Sequence, residues 1–414
     1  MNSPTLIGAH RAVSKLLENR PESWDVVRFK GLFHRLDRRN AHLAHEMLSL
    51  RSTGEVVARA ELGGRQEPAE ASLPKYLVTE TDDLVVNPMW LIGGGIGVSR
   101  RAGAVSPDYR VFRSRGALLP RFVHHLLRSQ PYLDQYRLYT RAQTTFDRRV
   151  QQPDLDNLPL PVPPLEEQRA IANYLDHETA RIDTLIEEQL RLIEMLGERR
   201  QAVIDRAFTK AGSNSRIVRA CLDVVDCPHT TPAVDDDGPF EAVRTASVRS
   251  GRYRPGHGLR VSEATWRERN AGGSPSLGDV VFAREGGSAG EASMVPSDAI
   301  CLGQRMVLLR VDANSCVGEF LLWQLYSKSI QDHFHLSMSG AAAGNIRVSV
   351  LRNTPIWLPS LEIQRSVAAH LNEQMAKIDT LSTETEGFIE LARERRSALI
   401  TAAVMGQIDV REVA

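Results

Sequence analysis

Two stretches of this sequence align without a gap at a constant separation of 196 residues, and no other feature limits the fold so strongly. The first runs from Pro159 through Pro163, Leu165-Glu166, Gln168-Arg169, Ile182-Asp183-Thr184-Leu185 and Glu198-Arg199-Arg200 to Ala207. The second runs from Pro355 through Pro359, Leu361-Glu362, Gln364-Arg365, Ile378-Asp379-Thr380-Leu381 and Glu394-Arg395-Arg396 to Ala403. Of the 49 paired positions 22 are identical, where chance gives about 3. Such a chain needs a fold with two equivalent parts.

Each copy begins with prolines (Pro163-Pro164; Pro359) ahead of an acidic first turn, a helix-start signal, and then holds a helical pattern for about 40 residues. Apolar residues alternate at 4-3 spacing. One row is Ile171, Glu178, Leu185, Leu192, Arg199 and the other Leu175, Ile182, Gln189, Leu196, Val203. The second copy repeats this as Val367, Gln374, Leu381, Phe388, Arg395 and Leu371, Ile378, Thr385, Ala392, Leu399. Such spacing predicts a coiled-coil seam between two long helices, with polar positions that fix register. At about 1.5 Å per residue each helix reaches ~60 Å. The long intervening segment returns the chain to its starting end, which favours antiparallel packing.

Residues 1–157 and 211–352 flank helical segments 158–210 and 353–414. Both flanking segments are rich in glycine, proline and short apolar runs such as Leu84-Val85-Val86, Val280-Val281-Phe282 and Met306-Val307-Leu308-Leu309, which read as strands between turns. The separation persists here, because Asp83-Leu84-Val85-Val86 aligns with Asp279-Val280-Val281-Phe282. The expected fold class is therefore α+β: two mixed α/β domains, separated by two long helices packed as an antiparallel coiled coil, with an internal pseudo-two-fold.

The chain is formally neutral, with 51 basic and 51 acidic residues, which by itself argues against a nucleic-acid binder. That total hides an uneven spread. Residues 1–157 carry 23 Lys+Arg against 17 Asp+Glu, and residues 211–352 carry 15 of each. The helical segments hold 7 against 10 and 6 against 9. Only six of the basic residues are lysines. Arginine's planar fork suits bidentate contact with guanine or phosphate.

No apolar run is long enough to span a membrane. Met1-Asn2-Ser3-Pro4-Thr5-Leu6 lacks the basic and apolar regions of a secretory leader, and four cysteines are too few for a disulfide framework, so a cytoplasmic location is expected. Cys221, Cys227, Cys301 and Cys316 do not follow paired zinc-knuckle spacing and read as small buried thiols, with no metal site.

The duplicated Pro-x-Leu-Glu-x-Gln-Arg, at Pro163 to Arg169 and Pro359 to Arg365, resembles the specificity subunits of type I restriction-modification systems. The Ile-Asp-Thr-Leu and Glu-Arg-Arg stations extend the likeness nearly end to end. So do Gly103-Ala104-Val105-Ser106-Pro107-Asp108-Tyr109, Gly278-Asp279-Val280-Val281-Phe282, Cys301-Leu302-Gly303-Gln304-Arg305 and the closing Gly406-Gln407-Ile408-Asp409-Val410. The resemblance implies two target-recognition domains, 1–157 and 211–352, each reading half of a bipartite double-stranded DNA site. It implies paired helices that act as a ruler, with an outer limit of roughly 18 base pairs at 3.4 Å each. Those helices would dock two methyltransferase subunits, joined in the full complex by motor-nuclease subunits. This chain would bind no cofactor itself; S-adenosylmethionine, ATP and Mg belong to the partners. The neutral second domain departs from a stand-alone DNA binder and implies weak DNA binding without partners.

The candidate DNA contacts in the first domain are Arg100, Arg101, Arg113 and Arg115, a dense basic group among turn residues. In the second they are His229, Thr230, Thr231, Arg284, Gln304, Arg305, Asn345 and Arg347, beside glycine-rich turns. Gln168, Arg169, Asp183 and Arg200, with Gln364, Arg365, Asp379 and Arg396, recur off the predicted seam. They are candidates for partner contact or for pairing between the helices.

A nucleic-acid enzyme is the rival class. Asn87-Pro88-Met89-Trp90 approaches the Asn-Pro-Pro-aromatic loop of adenine methyltransferases but lacks the second proline, and the repeat sets Ala283 opposite Asn87. The Gly93–Gly97 stretch is not Gly-x-Gly-x-x-Gly, and there is no phosphate-loop motif. A non-catalytic subunit is the expectation.

Overall fold

The computed structural model describes residues 11–43, 45–63, 69–140, 149–209, 212–338 and 344–411. Met1 to Leu6, read above for a leader, lie outside the described residues. The chain divides into two compact units, one of residues 1–188 and 388–414, the other of residues 189–387. Each takes one mixed segment together with part of both long helices.

The first unit contains a four-stranded antiparallel sheet of β1 (Phe33–Leu36), β2 (Leu84–Val86), β3 (Ile96–Val98) and β4 (Arg110–Ser114), in spatial order β1-β4-β2-β3. Hairpin-like pairs of Leu48–Leu50 with Val56–Ala58 and Leu77–Thr79 with Gly103–Val105 accompany it. Asp25–Arg28 pairs with Pro159–Val162, the strand leading into the central helix. The second unit repeats this with β5 (Cys221–Asp226), β6 (Val280–Ala283), β7 (Ala292–Met294) and β8 (Met306–Val311), in order β5-β8-β6-β7. Ser215–Arg216 pairs with Pro355–Ile356 as the equivalent strap. The strong apolar runs of the sequence are thus the central strands of both sheets. A three-stranded sheet of Leu259–Val261, Phe240–Val243 and Ile300–Leu302 contains a parallel pair.

The central helix spans Leu165–Phe208 and the C-terminal helix Leu361–Val404, 44 residues each. They pack against each other in antiparallel fashion. In the first unit Arg396 Nε lies 2.8 Å from Asp183 Oδ1. In the second, Arg200 pairs with Asp379, which also meets Arg252. Asp183 and Asp379 are repeat mates, as are Arg200 and Arg396, so one interhelical ion pair occurs twice. Apolar contact follows the same plan. Ile171 and Leu175 join Ile400, Ala403 and Val404 in the first unit's core. Leu196, Ile204 and Phe208 join Ala368, Leu371, Met375 and Ile378 in the second's.

One row of the predicted seam needs correction. The row of Leu175, Ile182 and Leu196, with Leu371 and Ile378, is buried, but Leu185, Leu381 and Phe388 are exposed. The second buried row lies one residue further on, at Ala172, Thr179, Ala368, Met375 and Ile389, while Thr385 is buried in the shared row. Thr179 and Thr385 bond to Leu175 and Leu381 carbonyls one turn back, which lets a hydroxyl sit in the seam. A 4-3 and a 3-4 alternation share one row and differ by a single-residue rotation of the other.

Candidate nucleic-acid interface

In the second unit, four loops meet at the end of the sheet where β5 and β6 finish and β8 begins. Arg284, just past β6, is their hub. Its backbone N–H donates to the Arg305 carbonyl at 3.0 Å, and its own carbonyl accepts from Ile346 N–H at 2.8 Å. Its side chain is buried and surrounded. Nε lies 3.1 Å from Asp226 Oδ1 and Nη2 2.9 Å from Glu285 Oε1, while Nη1 donates to Asn345 Oδ1 at 3.3 Å. His229 Nδ1 lies 3.3 Å from Nη2. Two carboxylates, an amide oxygen and an imidazole nitrogen therefore surround one buried cation, the Asp226 contact being an ion pair that leaves Nε without a hydrogen bond.

Around this hub the rim residues are more open. Gln304 Nε2 donates to the His229 carbonyl at 3.4 Å, and Arg305 Nε stands 3.9 Å from Glu285 Oε2. Arg305 adopts a left-handed backbone with φ 72, and its N–H donates to Cys227 Sγ. Gly286, at φ 83, lets its N–H donate to Gly344 and ties the loop after β6 to the segment carrying Asn345. Arg269, also buried, donates to the carbonyls of Leu302, Pro228 and Thr230 and so pins the 228–230 loop. Thr231 and Arg347 are exposed beside the group. The structure thus brings His229, Thr230, Gln304, Arg305 and Asn345 together. It gives Arg284 a different part from the one expected, since that side chain is spent on holding the loops and does not face outward.

The first unit departs further. Arg113 is committed to Asp83 and Glu80, with Nε 2.8 Å from Asp83 Oδ1 and Nη2 2.6 Å from Glu80 Oε2, and those hydrogen bonds hold its pKa above the usual arginine value. Arg101 pairs with Glu61 at 3.2 Å, while Arg100 and Arg115 are exposed. All four sit toward the end of the sheet where β3 and β4 finish, opposite the end that matches the Arg284 group. At the matching end lie Arg35, Arg110 and Arg149, which the sequence reading passed over. Asn87-Pro88-Met89-Trp90 is a tight turn there: Asn87 Oδ1 accepts from Met89 N–H, and Gly95 N–H donates to the Trp90 carbonyl.

The recurrent helix residues divide into three kinds. Gln168 and Gln364 are fully buried. Gln168 Oε1 accepts from Leu119 N–H at 2.7 Å and its Nε2 donates to the Ala117 and Pro163 carbonyls. Gln364 does the same with Val317, Ser315 and Pro359. These amides are occupied inside the chain, so the expectation of partner contact is corrected for both. Asp183, Arg200, Asp379 and Arg396 make the interhelical pairs. Arg169 and Arg365 remain exposed, Arg169 with Glu166 one turn away. The helices also expose apolar residues that recur at the repeat spacing: Leu185 with Leu381, and Met195 with Leu391.

Burial raises the thiols of Cys221 and Cys316 to about 12 and that of Cys301 to about 11. Among the described residues no cluster of three or more His, Cys, Asp or Glu is arranged for a metal, and no helix is long and apolar enough to cross a membrane.

No protein-family model matches the chain. The type I restriction enzyme MjaX specificity subunit of Methanocaldococcus jannaschii is 20% identical over 304 residues, 70% of this chain and 69% of that protein. A chain of a solved type I R-M system superposes with a TM-score of 0.73 at 18% identity, covering 94% of this chain and 100% of that one. The HsdS subunit from Thermoanaerobacter tengcongensis superposes at 0.53 and 20% identity, covering 94% and 98%. This chain has the fold of a type I specificity subunit. The specificity-subunit likeness spans both mixed segments and both helices, as the motif resemblance implied.

Proposed function

We propose that the chain is the DNA-specificity subunit of a type I restriction-modification assembly and performs no chemistry itself. Residues 1–157 and 211–352 are its two target-recognition domains, each reading one half of a bipartite duplex site. The observation that carries this reading is the duplicated mixed unit on an antiparallel helix pair, in the fold of specificity subunits. The Arg284 group supports it locally: a fixed cation anchors loops that present His229, Gln304, Arg305 and Asn345, side chains able to donate to or accept from base edges. The exposed apolar pairs Leu185/Leu381 and Met195/Leu391 support docking of two methyltransferase subunits on the helices, with S-adenosylmethionine, ATP and Mg bound by the partners.

Methylation profiling of cells with and without this gene, the methyltransferase gene present in both, tests the proposal. Loss of methylation at one bipartite motif is expected. Unchanged methylation with no co-purifying methyltransferase overturns it. Exchanging residues 1–157 for those of another specificity subunit is expected to change one half-site only.

A further inference from the structure

The two four-stranded sheets have the same pairing but differ in what they place at one end. Arg110 lies opposite Val86, where the second sheet sets Val307 opposite Phe282. Arg35 lies opposite Phe112, where the second has Val224 opposite Leu309. Arg149 takes the place of Asn345, because Val150 N–H bonds the Pro88 carbonyl as Ile346 N–H bonds that of Arg284. Three arginines therefore stand where the second unit has two core valines and an asparagine.

Arg110 is only 8% exposed, and its Nη1 is shielded with no hydrogen-bond partner. The charged groups that act on it are Arg35 and Arg149, of its own sign, and Asp156, whose Oδ1 already accepts from Gln152 at 2.6 Å. Arg35 is exposed and, among the described residues, makes no ion pair. Arg149 Nε donates to Met89 Sδ at 3.3 Å, and among the described residues its one ion-pair partner is the largely exposed Asp108 at 3.9 Å. A guanidinium cannot discharge, so burying one without an acceptor is costly unless an anion completes the site. Val307 shows that the sheet itself needs no cation there.

We infer that Arg35 and Arg149, backed by the buried Arg110, form a phosphate-binding site at this end of the first sheet. The inference rests on the DNA-reading function proposed above and deepens it: the phosphate is one of the duplex backbone, and the contact positions the domain without reading a base.

The test is fluorescence anisotropy of the full chain with a labelled mixed-sequence duplex of about 40 base pairs, from roughly 50 to 200 mM salt. For the double variant Arg35→Gln/Arg149→Gln, affinity at low salt is expected to fall about tenfold and the salt slope to shrink by about one, the value for one lost phosphate. Lys30→Gln, an exposed cation just ahead of β1 at the opposite end of the sheet, is expected to leave the slope unchanged. A wild-type slope in the double variant overturns the inference. A second arm measures the rise in Tm of the full chain in inorganic phosphate. If that rise is lost in the double variant while the DNA slope is kept, the site takes free phosphate and the backbone assignment falls. A lost motif in the gene-deletion profile together with an unchanged slope keeps the proposed function and removes this site. No salt-dependent duplex binding by wild type, alone or with its methyltransferase, removes the function itself.

Discussion

Arg284 and Arg110 are buried to nearly the same degree, 7% and 8% exposed, at the same end of equivalent sheets, yet their surroundings are opposite. Arg284 is enclosed by Asp226, Glu285, Asn345 and His229, whereas the charges acting on Arg110 are two further arginines and Asp156, which is already bonded to Gln152. The difference separates a cation that builds the protein from one that waits for a ligand. Removing the first strands two carboxylates. Removing the second relieves repulsion. Arg284→Met is accordingly expected to cost about 3 kcal/mol, and Arg110→Met to be neutral or to stabilise by about 1 kcal/mol, in urea unfolding of the full chain. Effects of the same sign break the comparison.

A second contrast concerns titration. His125 Nε2 meets Asp176 at 2.7 Å, and the repeat replaces that pair by Trp323 Nε1 donating to Asn372 at 2.6 Å. Burial pushes the adjacent His124 down to about 3, helped by Arg128, and burial also lowers His125 despite Asp176. Both imidazoles are harder to protonate in the fold than in the unfolded chain, so protons bind the unfolded chain first. Stability is full above the ordinary histidine value and declines as the pH falls from about 6.5 toward 3, by at most about 1.4 kcal/mol per pH unit for His124. Hydrogen exchange at pH 5 is expected to loosen Pro120–Leu127 and to spare Gly318–Leu325. Equal loosening of the two helices rejects the assignment.

Where the two units agree, equal costs are expected. Gln168→Leu and Gln364→Leu each remove three hydrogen bonds to backbone groups, and each is expected to cost about 2 kcal/mol. A difference above about 1 kcal/mol between them breaks the equivalence of the two helix starts. The interhelical ion pairs are alike in kind and unlike in burial. Asp379 is 20% exposed and meets two arginines, while Asp183 is 49% exposed and meets one. Asp379→Asn is expected to cost about 1 kcal/mol and Asp183→Asn less than about 0.5, with the latter vanishing at high salt.

The duplication, both helices and the central strands were legible because each rests on local pattern: identity at a fixed separation, apolar periodicity and proline at a helix start. The Arg284 group was legible for a related reason, since its residues lie next to glycine turns. Arg35, Arg110 and Arg149 were not, because each is an isolated arginine and only strand register brings them together. One signal was available: the separation that matched Asp83 to Asp279 also sets Arg149 opposite Asn345. Gln168 and Gln364 announced a constraint by recurring, but recurrence cannot tell an amide bonded inside the chain from one offered to a partner. Burial decides that.

The corrected seam sets the last and smallest effect on the chain. Leu185 and Leu381 fit an alternation as well as any buried residue, but they are 41% and 48% exposed, whereas Ile182 and Ile378 are 6% and 3%. An aspartate at an exposed helix position adds little beyond helix propensity, while one in the seam buries a charge with no partner. Leu185→Asp/Leu381→Asp is therefore expected to change unfolding free energy by less than about 1 kcal/mol, and Ile182→Asp/Ile378→Asp to prevent folding or cost more than about 4 kcal/mol. Under the proposed function the exposed pair nevertheless matters to assembly. The Leu185/Leu381 double variant is expected to stay folded by circular dichroism and to lose co-purification of the methyltransferase. If it keeps its partner, these leucines are surface residues only, and docking must use another face of the helices. If it unfolds, the seam runs through them after all.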